Sequence, residues 1–179
     1  MHPIQFAFSN EKSTEGALSQ VVDKIESGLL RDSYTLAVFL DIAGAFDSIR
    51  ISSIVKGMED KGLPSYLIKW FKACLGNRTA TATINNDSIT RFLVRGTAQG
   101  GVGSPLAWNM AVEDILVHLN KPPFSCVGFA DDLCLLICGK DPDALIELTQ
   151  PVLNKLIKMG GKKGLTFNDK KTQVVLFTA

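Results

Sequence analysis

The sequence predicts an α+β domain in which an antiparallel sheet is backed by helices on one face. Apolar, β-branched runs of strand length alternate with stretches of helical periodicity, in the order β-α-α-β-β-α-β-β-α-β-β after a leading helix. Most connections are too short for the crossovers that parallel strands need. With 179 residues, 46% of them hydrophobic and 21% charged, the chain suits one domain with a real core.

Each element has its own signal. From about 14 to 29, Leu18, Val21, Val22, Ile25 and Leu29 recur at helical spacing, with Ser13 or Thr14 as cap. "YTLAVFLD" is rich in β-branched and aromatic residues and reads as a buried strand ending at Asp41. Helices over about 51–61 and 65–75 are divided by the Gly and Pro of "KGLPS". "TATATI", a turn "NNDS" and "ITRFLV" read as a hairpin. "GTAQGGVGSP" is a glycine-rich loop whose Ser104 can cap, and Pro105 open, a helix reaching about 119. After "KPP", "FSCVGFA" and "LCLLIC" read as two strands joined by a tight turn carrying Asp131 and Asp132. Asp141 and Pro142 open a helix with Leu145, Leu148, Val152, Leu156 and Met159 as its inward stripe and Gly160 and Gly161 as its end. "GLTF", the turn "NDKK" and "TQVVLF" suggest a last strand pair.

Lys and Arg number 19 against 18 Asp and Glu, so the net charge of +1 gives no overall basic field to draw phosphate. Cys74, Cys126, Cys134 and Cys138 form no C-x-x-C pair and sit in apolar segments, which favours buried thiols over disulfides or zinc. No stretch approaches a membrane span and no signal sequence opens the chain, so an intracellular protein without a membrane partner is expected.

The run "VGFADDLCLL" raises a physical problem. Two adjacent carboxylates beside a core are costly, and each makes the other harder to ionise. A solvated acidic turn is one answer, since Asp is common in turns. Convergence with Asp41 is another. If the three strands are neighbours, three carboxylates meet at one sheet edge, and divalent cations would neutralise them. Carboxylates with waters and substrate phosphates suit Mg²⁺, and the chemistry implied is in-line displacement at phosphorus.

"FLDIAGAFDSI", "RGTAQGGVGSPLAWN", "FADDLCLL" and "GLTFNDKKTQVVLF", in this order, closely resemble the successive palm motifs of reverse transcriptases, most of all those of non-LTR (LINE-type) retrotransposons. "QFAFSNEKSTEGAL" resembles the segment that precedes the palm in that family. The resemblance implies a polymerase palm with part of the fingers: fingers over about 1–33 and 50–95, interleaved with palm over about 34–49 and 96–179, and no thumb. It implies an RNA-directed DNA polymerase that adds dNTPs to a DNA primer on an RNA template. Its partners would be the rest of the retroelement polyprotein, with fingers, thumb and endonuclease. Copying into chromosomal DNA would place it in the nucleus.

The same resemblance assigns residues. Asp41, Asp131 and Asp132 would bind two Mg²⁺ ions, with Mn²⁺ as substitute, and the Ile42 carbonyl would add a ligand. Phe46 matches the steric gate beneath the incoming sugar, and Gln99 and Gly100 the loop that approaches nucleotide and template. Lys171, or its neighbour Lys170, matches the general acid toward pyrophosphate. Ala98 departs from the family's proline before the glutamine, leaving the loop more flexible.

Plainer readings stand beside these. Phe46 also suits a core, Gln99 can satisfy loop backbone, and Lys162, Lys163, Lys170 and Lys171 suit a wet surface. Asp47 is expected to cap the next helix, Trp70 and Trp108 to be core, and His118 to be packed or superficial. Arg78, Arg91 and Arg95 flank the hairpin, where they could touch phosphate or simply meet solvent. Two other function classes also remain: an inactive retroelement relic acting as a binding or assembly module, and a palm-like nucleotidyl cyclase.

Overall fold

The computed structural model describes residues 2–98 and 100–178. Helix α1 (Thr14–Leu29) starts where the Ser13 side chain accepts a hydrogen bond from the Gly16 N–H at 3.1 Å. Strand β1 (Tyr34–Leu40), the short strand β2 (Ile42–Ala43) and the one-turn helix α2 (Ala45–Ser48) follow. Then come α3 (Ile51–Asp60), α4 (Ser65–Gly76), the hairpin β3 (Thr79–Ile84) and β4 (Asp87–Phe92), and α5 (Ser104–Leu119). The chain continues with β5 (Ser125–Phe129), β6 (Asp132–Gly139), α6 (Pro142–Lys163), β7 (Thr166–Phe167) and β8 (Gln173–Phe177). The class is α+β, as the sequence predicts.

The main sheet has the order β5-β6-β1-β8, with each pair antiparallel. Its centre is buried on both sides, which explains why "TLAVFL" and "LCLLIC" show no alternation. On one face the cross-strand pairs Leu36 with Ile137, Val38 with Leu135 and Leu40 with Leu133 meet α5 and α6. Burying each such side chain contributes about 1.5–3 kcal/mol. On the other face Ala37, Cys134 and Leu136 pack against Val21 and Ile25 of α1. There Gly28 lets the helix come close, because a Cβ would lie 2.2 Å from the Thr35 hydroxyl.

Several local expectations change. Leu18 and Val22 of α1, and Leu148 of α6, point to solvent, because each helix shows the sheet a narrower face than its apolar residues span. Helix α6 runs past Gly160 and Gly161 and ends at Gly164, whose left-handed backbone (φ 83°) returns its N–H to the last turn. The strands β7 and β8 do not pair with each other: β7 pairs with β2 and β8 with β1. Gly103 caps α5, while Ser104, inside the helix, donates to the Ala98 carbonyl at 2.6 Å. Asp47 lies within α2, and Arg50 occupies the cap of α3. Asp87 and Ser88 belong to β4 and pair with Ile84 and Thr83, leaving a two-residue turn.

The hairpin β3–β4 is exposed along its whole length. Its root is held by Arg78, whose guanidinium donates to the carbonyls of Leu75, Arg95 and Gly96. Trp108 is core, but Trp70 is 58% exposed, and Cys74 is exposed rather than buried. His118 is half-buried, with its ring 3.4 Å from the Val152 carbonyl. Among the described residues no helix is long and apolar enough to cross a membrane.

Helices α3 and α5 meet at Gly57, where a Cβ would lie 2.3 Å from the Met110 carbonyl oxygen. Alanine would gain about 1 kcal/mol of helix propensity, but the obstacle is backbone, and overpacking of this kind costs about 1–3 kcal/mol. Gly57→Ala should therefore lower the denaturant midpoint; an unchanged or higher midpoint would show that the two helices can part without cost.

Candidate active site

The site is built where β1 and β6 end together. Leu40, the last residue of β1, pairs with Leu133, so the flanking residues Asp41 and Asp132 come side by side at the sheet edge. The last pair of the β5–β6 ladder is Phe129 with Asp132, which leaves Ala130 and Asp131 as a two-residue turn. Asp132 thus opens a strand, and Asp131 alone of the two acids stands in the turn.

That turn takes an unusual backbone. Ala130 has φ 57°, a left-handed value that a two-residue hairpin of this kind normally gives to glycine. Its carbonyl accepts hydrogen bonds from Trp108 Nε1 at 3.1 Å and Gln5 Nε2 at 3.2 Å, and its N–H donates to Gln5 Oε1 at 3.0 Å. In the sequence Gln5 stands out only as the first residue of "QFAFSNEKSTEGAL", with no role of its own, and Trp108 only as a core residue.

Lys171 reaches the edge through the turn after β7. The Asn168 N–H donates to the Asp41 carbonyl at 2.9 Å, and the Asn168 carbonyl accepts from the N–H groups of Lys171 and Thr172. This brings Lys171 Nζ to 3.2 Å from Asp41 Oδ1. Lys170 remains exposed on the same turn. An apolar cleft of about 340 Å³ opens beside Asp41, Asp132 and Lys171, walled by Leu18, Val21, Phe39 and Phe129.

Partial burial raises the pKa of the Asp132 carboxyl, and the charges of Asp131 and then Asp41 raise it further against the opposing pull of Lys171. The charges of Asp131 and Asp41 thus both reach the Asp132 carboxyl. Among the described residues no three carboxylate, imidazole or thiol side chains close on one point as a metal cage. The hard oxygen donors of this edge fit an ion that shares its coordination with waters and phosphate.

Ile42 is buried in β2, paired with Phe167, directly after Asp41. Phe46, in α2, stacks on Trp108 with ring centroids 5.2 Å apart, and Phe8 meets Phe46 edge-on at 6.2 Å. The loop before α5 is laced to this unit: the Thr97 N–H donates to the Phe46 carbonyl and the Gly96 N–H to the Ile49 carbonyl, both at 2.7 Å. Gly100, at φ 79°, is exposed further along that loop, and Gln99 lies outside the described residues.

The family described as "Reverse transcriptase (RNA-dependent DNA polymerase)" matches residues 1–177. The chain belongs to the reverse transcriptase family. It is 26% identical over 174 residues to a retrovirus-related Pol polyprotein from type-1 retrotransposable element R1 of Bradysia coprophila, covering 97% of this chain and 17% of that protein. It is 28% identical over 154 residues to the corresponding R2 element polyprotein of Popillia japonica, covering 79% of this chain and 21% of that protein. This reverse transcriptase domain is thus of the LINE type, and it spans about a fifth of the length of these relatives.

Among solved structures, the telomerase of Candida tropicalis in complex with a TWJ fragment of telomeric RNA matches with a TM-score of 0.70 at 13% identity, covering 98% of this chain and 30% of that one. The Candida albicans telomerase matches with a TM-score of 0.68 at 14% identity, covering 96% and 32%. The reverse transcriptase domain shares their fold, the polymerase palm that the motifs implied.

The raised Asp132 carboxyl has a thermodynamic consequence. A carboxyl whose folded pKa exceeds its unfolded value binds protons more tightly when folded, so stability falls as pH rises from 3.8 through the folded value. In chelator-containing buffer, Asp132→Asn should raise Tm at neutral pH by on the order of a degree or two. The gain should vanish below pH 3.8, where the wild-type carboxyl is also neutral. A Tm difference independent of pH would contradict this account.

Proposed function

We propose that this chain is the catalytic palm of an RNA-directed DNA polymerase, which extends a DNA primer with deoxynucleotides on an RNA template within a larger LINE-type polyprotein. The single observation that carries this is Asp41 beside Asp132 at the sheet edge, with Lys171 on Asp41, in a chain of this family. In this reading the segments 1–33 and 50–95 belong to the fingers and the rest to the palm.

Asp41, Asp131 and Asp132 would hold the two divalent ions, Mg²⁺ or Mn²⁺, with the Ile42 carbonyl as a further ligand; carboxylate and carbonyl oxygens are the donors such ions prefer. When bound, these ions supply charge neutralisation at the attacking and leaving oxygens. The primer 3′-hydroxyl gives up its proton to solvent, its oxygen bonds to the α-phosphorus, and the bond to the bridging oxygen of pyrophosphate breaks. Lys171 holds a proton at Nζ that it gives to the leaving pyrophosphate. Phe46 lies beneath the sugar, where its ring collides with a 2′-hydroxyl, and Gln99 and Gly100 approach the nucleotide and template.

The alternative, a folded relic serving as a binding or assembly module, draws on the near-neutral charge of +1. Primer extension by the intact polyprotein separates the two. Asp131→Asn should slow extension by about a thousandfold or more, whereas wild-type speed would remove the assignment. Phe46→Val should admit ribonucleotides; unaltered sugar discrimination would exclude Phe46 as the gate.

A further inference from the structure

The turn that carries Asp131 is held by two residues whose side chains hydrogen-bond its backbone. Gln5 and Trp108 are both 0% exposed. Gln5 grips both polar groups of the Ala130 peptide positions, as a neighbouring strand would, and its Oε1 also accepts from the Ala7 N–H at 3.1 Å. Its own backbone is pinned to β5, with the Phe6 N–H donating to the Gly128 carbonyl at 2.8 Å and the Gly128 N–H to the Ile4 carbonyl at 2.9 Å. The indole of Trp108 takes the second lone pair of the Ala130 carbonyl while its ring supports Phe46.

A left-handed non-glycine residue is disfavoured and persists only where its surroundings fix it. We propose that Gln5 and Trp108 are positioning residues: together they lock Ala130 so that the turn presents Asp131 and Asp132 toward Asp41, and Trp108 alone also sets the ring that senses the sugar. The proposal rests on the polymerase reading above.

The two residues share the turn but not the ring, so their variants separate. In the intact polyprotein, Gln5→Glu keeps an acceptor for the Ala130 N–H and loses the donor to its carbonyl, and Gln5→Leu loses both. Primer extension should show kcat reduced at least about tenfold for both, in Gln5→Leu by the lost hydrogen bonds and in Gln5→Glu by the lost donor and a buried carboxylate turned on the Ala130 carbonyl, with the KM for dNTP and the preference for deoxyribose unchanged. Trp108→Phe should lower kcat and keep the preference, because the stacked ring survives. Trp108→Leu should lower both. Adding Ala130→Gly to Gln5→Glu should restore most of the lost kcat, since glycine holds φ 57° without the grip.

Hydrogen–deuterium exchange over residues 127–134 gives a readout that needs no activity. Exchange should rise about tenfold in Gln5→Glu if the turn loosens. If the wild-type polyprotein does not extend a primer, the polymerase reading fails while exchange still tests the grip. Should Gln5→Glu leave kcat and exchange unchanged, or should Ala130→Gly restore nothing, the positioning proposal is overturned. A Trp108→Leu variant with unaltered sugar preference would overturn the link to Phe46.

Discussion

The antiparallel pairing of β1 with β6 is the constraint on which the rest depends. Both strands are buried on both faces, so hydrophobic alternation cannot fix their register. Size does. The face toward α5 and α6 carries Leu36, Val38, Leu40, Leu133, Leu135 and Ile137, whereas toward α1 the small Thr35 and Cys138 lie beside Gly28, with Ala37, Cys134 and Leu136 further along. A slip by one residue would push leucines under Gly28, where a single added carbon already meets Thr35. The same register that fills the core therefore brings Asp41 next to Asp132.

That placement works against stability. Asp132 sits where partial burial and two neighbouring carboxylates oppose its charge, and Ala130 occupies a backbone region its side chain disfavours. Both costs fall within one hairpin tip, bounded by Val127, Leu133 and Leu135, which are buried. A rigid core beneath the tip lets these unfavourable groups stay in place. A loop would relax instead: the carboxylates would drift apart into water, and the constellation would be lost.

What the sequence made legible followed from strong local signals. Ser13, one of the two expected caps, starts α1; "YTLAVFLD" is a strand that ends one residue early, at Leu40; and of the two acids expected in the turn Asp131 stands there while Asp132 opens β6. What it hid depended on tertiary choices. The runs "GLTF" and "TQVVLF" look like a pair, yet each finds a better partner in a strand more than a hundred residues earlier, β7 with β2 and β8 with β1. Gly160 and Gly161 look like a helix end, but the packing of α6 against α5 and the sheet carries the helix three residues further. The left-handed turn was invisible because Ala130 is not a glycine, and the role of Gln5 because its partner lies 125 residues away, so that nothing local in "QFAFSNEKSTEGAL" distinguishes it from its neighbours.

The position of Gln5 joins two problems that a sheet must solve. An edge strand exposes unpaired backbone groups and invites pairing with other chains. Here β5 is an edge, and the segment from Ile4 to Phe6 runs beside it in parallel, taking up both backbone groups of Gly128. Once the backbone lies there, its side chains alternate, and the residue opposite Gly128 has one direction left, along the strand toward the turn. A Cβ on Gly128 would lie in ordinary contact with Gln5 Nε2, at 3.7 Å, so the amide passes directly over this residue. Covering the edge thus delivers an amide to Ala130 at no further cost in ordered chain. An N-terminal segment that only shielded the edge could carry any small residue at position 5; one that also holds the acid turn requires a side chain with both a donor and an acceptor.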